Sequence, residues 1–113
     1  MERSIMTLGI RLDARTALIT GGGSGIGLAV AEALHAQGAA VAILGRGEAK
    51  LKSAEKQISA DGGSPVLPVV ADVNDDAAVS DAVRQVHQWQ GRLDIVVNSA
   101  APLLAVGPLG EAD

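Results

Sequence analysis

Between the apolar run TALIT (16–20) and the apolar stretch LAVAEAL (28–34) lies a turn in which five of the seven residues from Gly21 to Gly27 are glycine. Glycine costs about 0.5–1 kcal/mol against alanine inside regular structure, chiefly as backbone entropy. Such density is useful where the chain must turn sharply or where something approaches the backbone closely. The run before the turn is short, apolar and β-branched, which predicts a buried strand. After it, Ile26, Val30, Ala33 and Leu34 recur at helical spacing. They predict a helix from about Gly25 to Gln37, stopped by Gly38. A strand, a glycine turn and a helix in this order constrain what the rest of the chain can build.

The remaining pattern extends that unit. AAVAIL (39–44) reads as a second strand. Residues 48–60 read as a helix with Leu51, Ala54 and Ile58 inward and Lys50, Lys52, Glu55 and Lys56 outward, ended by Asp61-Gly62-Gly63. VLPVVA (66–71) is a third strand, and Pro68, which cannot donate to a ladder, assigns it to a sheet edge. A third helix follows, expected to be capped by Asn74 with Asp75 and Asp76 in its first turn. Val79, Val83, Val86 and Gln90 trace one side of it, with Ala82 and Trp89 beside them. LDIVVN (93–98) is a fourth strand, and APLLAVGPLGEAD reads as loop.

Alternating strands and helices imply an α/β fold with a parallel sheet and right-handed crossovers. The doubly wound, Rossmann-type order 3-2-1-4 puts the Pro68 strand at an edge. Composition agrees: 48% of the 113 residues are apolar, yet there is no Phe or Tyr and one Trp. Small aliphatic residues suit helices lying on a parallel sheet. The length suits one domain, residues 1–113.

Charge and composition narrow the partners. The net charge of −4 argues against nucleic acid. No basic amphipathic face suggests a membrane surface, and no apolar run reaches the length of a span. The N-terminal segment has no apolar core of signal-peptide length. The absence of cysteine excludes disulfide and thiolate chemistry and fits a reducing compartment. The expectation is a cytoplasmic protein.

In a doubly wound sheet, ligands bind beyond the carboxyl ends of the strands, where the strand order reverses. Here that crevice lies between strands 1 and 4. The glycine turn opens a helix whose free N–H groups and dipole suit an anion, so the missing side chains make room for phosphates. The spacing is Thr20-Gly21-x-x-x-Gly25-x-Gly27, not G-x-G-x-x-G, and no Gly-Lys-Ser/Thr of a Walker loop follows. A flexible turn with no ligand is the alternative reading of the loop by itself.

TGGGSGIG after a strand, the later Asp72-Val73 pair and LDIVVNSA together resemble the N-terminal half of the short-chain dehydrogenase/reductase family. The resemblance runs from about residue 12 to the end of the chain. It implies that Gly21, Gly23, Ser24, Gly25, Ile26 and Gly27 cradle the pyrophosphate and adenosine ribose of a nicotinamide dinucleotide. Asp72 and Val73 would meet the adenine. Asn98, Ser99, Ala100 and Ala101 match the family's N-N-A-G segment, with Asn98 and Ala100 kept and Ser99 and Ala101 departing from it. A strand-end cap at Asp72 and a turn contact at Asn98 are the structural alternatives.

The end of strand 2 bears on the choice of cofactor. NAD-binding folds usually carry an acid there for the ribose 2′-hydroxyl. This chain has Leu44-Gly45-Arg46, with no carboxylate to repel a 2′-phosphate and a guanidinium able to pair with one. NADP is therefore expected, with NAD second, although Ser24 stands where the family often has a further basic residue.

The family's Ser, Tyr and Lys catalytic set is not legible here, and the chain has no Tyr. His35 and His87 read as surface positions, and Asp75 and Asp76 as helix-start acids. No catalytic residue and no metal ligand is assigned. The sequence reads as the cofactor-binding portion of a longer oxidoreductase that moves hydride between nicotinamide and a carbonyl or hydroxyl substrate. Its small-molecule substrate would be met only in the full-length form, and full-length family members are usually homo-oligomeric. The alternative is a complete, non-catalytic nucleotide-binding or interaction module. A methyltransferase fits poorly, because Gly45-Arg46 supplies no acid after strand 2.

Overall fold

The structure, a computed structural model, describes residues 11–99. Its elements are β1 (Thr16–Thr20), α1 (Gly25–Ala36), β2 (Ala40–Gly45), α2 (Glu48–Ile58), β3 (Val66–Val70), α3 (Asp76–Gln90) and β4 (Ile95–Asn98). The four strands form one parallel sheet ordered β3-β2-β1-β4. This is the expected doubly wound arrangement. β3 lies at an edge, where the missing N–H of Pro68 removes no ladder bond from a central strand.

Both faces of the sheet are covered, so β1 is buried at every residue and shows no polar alternation. Ala17, Ile19, Val41 and Ile43 point to one face, where Ala31 of α1 and Leu51, Ala54 and Ile58 of α2 pack on them. Leu18, Ala42, Leu44 and Val69 point to the other face, against Ala82 and Val86 of α3. Burying an Ile or Leu of this set contributes about 1.5–3 kcal/mol. Beyond α3 the second face is thinner: Val96 of β4 is 40% exposed.

Some details differ from the sequence reading. Of the residues that recur at helical spacing on α1, Ile26 is 77% exposed; the buried positions of the helix are Gly27 and Ala31. On α3 the inner stripe is Ala82, Val86 and the half-buried Trp89, while Val83 and Gln90 face outward. The cap of α3 is Asp75, not Asn74: its Oδ1 accepts from the N–H groups of Ala77 and Ala78 at 3.1 Å. His35 is half-buried rather than on the surface, with Nε2 2.8 Å from the Ser64 carbonyl oxygen. β2 begins at Ala40 because the Ala39 N–H is bound to Leu34 O at the end of α1. Among the described residues no helix is long and apolar enough to cross a membrane.

Candidate functional site

Parallel strands bring the carboxyl ends of β1, β2, β3 and β4 to one side of the sheet, together with the N-termini of the three helices. The β1–β4 junction there is tied by side chains. Thr20 Oγ1 donates to Asn98 Oδ1 at 2.9 Å, and Ser99 Oγ donates to the Thr20 carbonyl oxygen at 2.6 Å. Gly21 N–H donates to Leu44 O at 2.8 Å and draws the turn over the end of β2. These bonds fix the crevice where the strand order reverses.

Two glycines of the turn do different work. Gly25 has φ +59°, a left-handed conformation that L side chains rarely adopt, and the space above it is open. A ligand can therefore reach its backbone. Gly27 lies where α1 meets the turn. A Cβ there would run into the carbonyl oxygen of Gly21 and stand 2.5 Å from Ser99 Oγ. Its absence lets the helix N-terminus close on the sheet. Ser24 stands at the cap position of α1 but makes no side-chain cap bond, so the first-turn N–H groups stay available. The exposed Ile26 adds an apolar surface beside them.

A cleft of about 200 Å³ opens beside this turn, lined by Gly21, Gly45, Arg46, Asp72, Val73 and Asn74 among others. Arg46 is exposed on the loop after β2. Asp72 Oδ1 accepts from Asn74 N–H at 2.9 Å, so its carboxylate shapes the turn after β3. Of the residues singled out in the sequence, Gly21, Arg46, Asp72 and Val73 share this cleft. Gly23, Ser24, Gly25, Ile26 and Gly27 form the adjoining turn and first helical turn, and Asn98 closes the β4 side. Ala100 lies outside the described residues.

The geometry fits a dinucleotide. Open space at Gly25 and an uncapped helix start suit a pyrophosphate, and the cleft beyond suits an adenosine. Sequence reasoning read Ser99 only as a mild departure from a pattern. It is instead the strap between β4 and β1, a role that only its 2.6 Å bond to Thr20 reveals. Among the described residues no group of three or more His, Cys, Asp or Glu is arranged to hold a metal ion.

A larger hollow of about 390 Å³ lies at the opposite, amino ends of the strands, bordered by Arg15, Thr16, Ser64 and Arg92. Its cations are already engaged. Arg92 binds Asp94 through both carboxylate oxygens, the shortest contact being 2.7 Å, and Arg15 lies 3.6 Å from the same carboxylate. The Arg92 hydrogen bonds and the Thr16 N–H lower the Asp94 pKa to about 2. The cleft at the carboxyl ends is smaller, and its Arg46 has no carboxylate within 4 Å among the described residues.

The profile of the short chain dehydrogenase family matches residues 15–112. A short chain dehydrogenase of Pseudocercospora fijiensis is 40% identical over 99 residues, covering 88% of this chain and 31% of its own length. A short-chain type dehydrogenase/reductase from Mycobacterium ulcerans superposes with a TM-score of 0.77 at 38% identity, covering 92% of this chain and 38% of that one. L-Sorbose reductase from Gluconobacter frateurii, solved with NADPH and L-sorbose, gives a TM-score of 0.76 at 33% identity over 92% of this chain and 39% of its own. The chain thus spans between 31% and 39% of the length of these proteins.

Proposed function

The chain belongs to the short chain dehydrogenase family, and we propose that it supplies the cofactor-binding part of an NADP-dependent oxidoreductase acting on a carbonyl or hydroxyl substrate. The observation that carries this reading is the glycine turn. It opens an uncapped α1 at the β1–β4 junction, beside a cleft that Arg46, Asp72 and Val73 line. When bound, the nicotinamide supplies hydride transfer.

This chain's own residues bind and orient. The first-turn N–H groups of α1 hold the pyrophosphate, with Gly25 leaving room for it. Ile26 offers the apolar contact at the helix start. Asp72 and Val73 border the adenine. Asn98, oriented by Thr20, and Ala100 attend the nicotinamide-side ribose. Arg46 faces the adenosine ribose, where a guanidinium favours a 2′-phosphate and the end of β2 carries no acid. The NADPH complex of the Gluconobacter relative is consistent with this preference. With no Tyr among its 113 residues, the chain is assigned no acid–base step of its own.

The test is a titration with NADPH and NADH, followed by nicotinamide fluorescence. NADPH is expected to bind more tightly to the parent, and Arg46→Asp is expected to shift preference towards NADH. Equal NADPH affinity in parent and variant would sink the assignment of Arg46.

A further inference from the structure

Eight lysine and arginine residues lie among the described residues, and five have a carboxylate within 4 Å. Arg11 pairs with Asp13, Arg15 and Arg92 with Asp94, Lys52 with Glu48, and Arg84 with Asp81. Arg46, Lys50 and Lys56 have no such partner among the described residues. Of those three, Arg46 lines the cleft and Lys50 adjoins the glycine turn.

Lys50 is the third residue of α2 and is exposed. A Cβ built on Gly23 of the glycine turn would stand 3.7 Å from Lys50 Cβ, and one on Gly47 at the same distance. The first turn of α2 therefore leans directly on the glycine turn, with the root of Lys50 at the contact. Side chains on a helix tilt towards its N-terminus, here the end that adjoins Arg46 and the cleft. The flexible four-carbon stem of lysine then carries a strongly hydrated point charge into that corner.

The surrounding acids offset it only in part: Glu48 is engaged by Lys52 at 3.6 Å, and the single charge of Asp72, which accepts the Asn74 N–H, stands against two cations and pairs with neither. Gly47, at the cap position of α2, has no side chain to offer the helix start. In a chain of net charge −4, two neighbouring cations without partners are a local excess of the sign that a phosphate dianion needs.

We propose that Lys50 is a specificity-determining residue that acts with Arg46 on the 2′-phosphate of the adenosine ribose. It supplies from α2 a second positive charge beside Arg46. This rests on the dinucleotide-binding reading above and adds a residue to it. Arg46 offers directional hydrogen bonds to phosphate oxygens, and Lys50 a mobile charge beside them. No bond forms or breaks; the role is discrimination between two cofactors that differ by one phosphate.

The test compares NADPH and NADH dissociation constants for the parent chain and Lys50→Gln, at low salt and at high salt, with thermal unfolding as a check on the fold. The expected result is a loss of about five- to tenfold in NADPH affinity, with NADH affinity unchanged and the unfolding midpoint preserved. The loss should shrink at high salt, because both charges are exposed. Adenosine 2′,5′-bisphosphate, used as a competitor, should show the same loss. NADPH affinity equal in variant and parent, or an equal fall for both dinucleotides, overturns the role of Lys50 and leaves the dinucleotide reading standing. A parent chain that binds neither dinucleotide overturns that reading, and this inference with it.

Discussion

Gly27→Ala separates two opposed expectations. Alanine is the better helix former by about 0.8–1 kcal/mol, and Gly27 lies within α1, so propensity alone predicts a more stable protein. The structure predicts the reverse. The new Cβ meets the Gly21 carbonyl oxygen well inside van der Waals separation and Ser99 Oγ at 2.5 Å. Gly21 O is a backbone atom in the turn that ends β1, so it cannot rotate away, and α1 must lift from the sheet. Overpacking of this kind costs about 1–3 kcal/mol, with the upper end appropriate for a backbone obstacle. After the propensity gain, the net loss is about 2 kcal/mol, or roughly 10 °C in midpoint for a chain of this size. Urea unfolding followed by the single tryptophan, Trp89, reads this directly. Adding Ser99→Gly should not recover the loss, since it leaves the Gly21 carbonyl in place and removes the bond from Ser99 Oγ to the Thr20 carbonyl oxygen. An unfolding midpoint at or above that of the parent would refute the argument that Gly27 is fixed by close approach.

Two further perturbations probe the ends of the strands and helices. Asp94, at the amino end of β4, has its folded pKa lowered to about 2 against an ordinary value near 4. Its contribution is therefore complete above about pH 4 and is lost as pH falls towards 2. Asp94→Asn should be less stable than the parent at pH 6, with the gap closing between pH 4 and pH 2; a gap independent of pH would contradict the assignment. At the other end, Asp75→Ala should cost about 1 kcal/mol by removing the cap of α3, whereas Asn74→Ala should cost little. Thermal midpoints that ranked the two in the opposite order would return the cap to Asn74.

The order of elements and the sheet topology were legible because each rests on a local signal with one physical reading. Pro68 is acceptable at an edge, the glycine turn must join β1 to a helix, and apolar runs of five or six residues suit strands buried on both faces. Helix faces were less legible where small residues dominate. On α1 the sheet-facing positions are Gly27 and Ala31, which carry almost no hydrophobic signal, while the conspicuous Ile26 faces out. Asn74 and Asp75 are both good caps in sequence, and only the backbone extended at Asp75 decides between them. β4 starts at Ile95 rather than Leu93 because the side chain of Asp94 takes the Thr16 N–H at 2.9 Å. The candidate site followed the same division. Its glycines and Arg46 were visible as residues, while the Ser99 strap and the contact of Lys50 with the glycine turn needed three dimensions.

The two ends of the sheet differ in how their polar groups are settled, and the difference is an argument about function. At the amino ends, Arg15 and Arg92 close on Asp94, and Arg11 closes on Asp13, so each of these cations has a carboxylate within the chain. At the carboxyl ends, α3 is capped by Asp75, but α1 and α2, the two helices beside the glycine turn, have no side-chain cap. Arg46 and Lys50 stand there without partners among the described residues. A fold selected for stability alone gains about 1 kcal/mol from each helix cap and would use them throughout. Leaving helix-start donors and two of the three unpaired cations of the described residues at one corner is the arrangement expected where an anionic ligand completes the structure. It follows that dinucleotide binding should stabilise the chain through that corner, and Arg46 and Lys50 variants should lose the stabilisation given by NADPH more than that given by NADH.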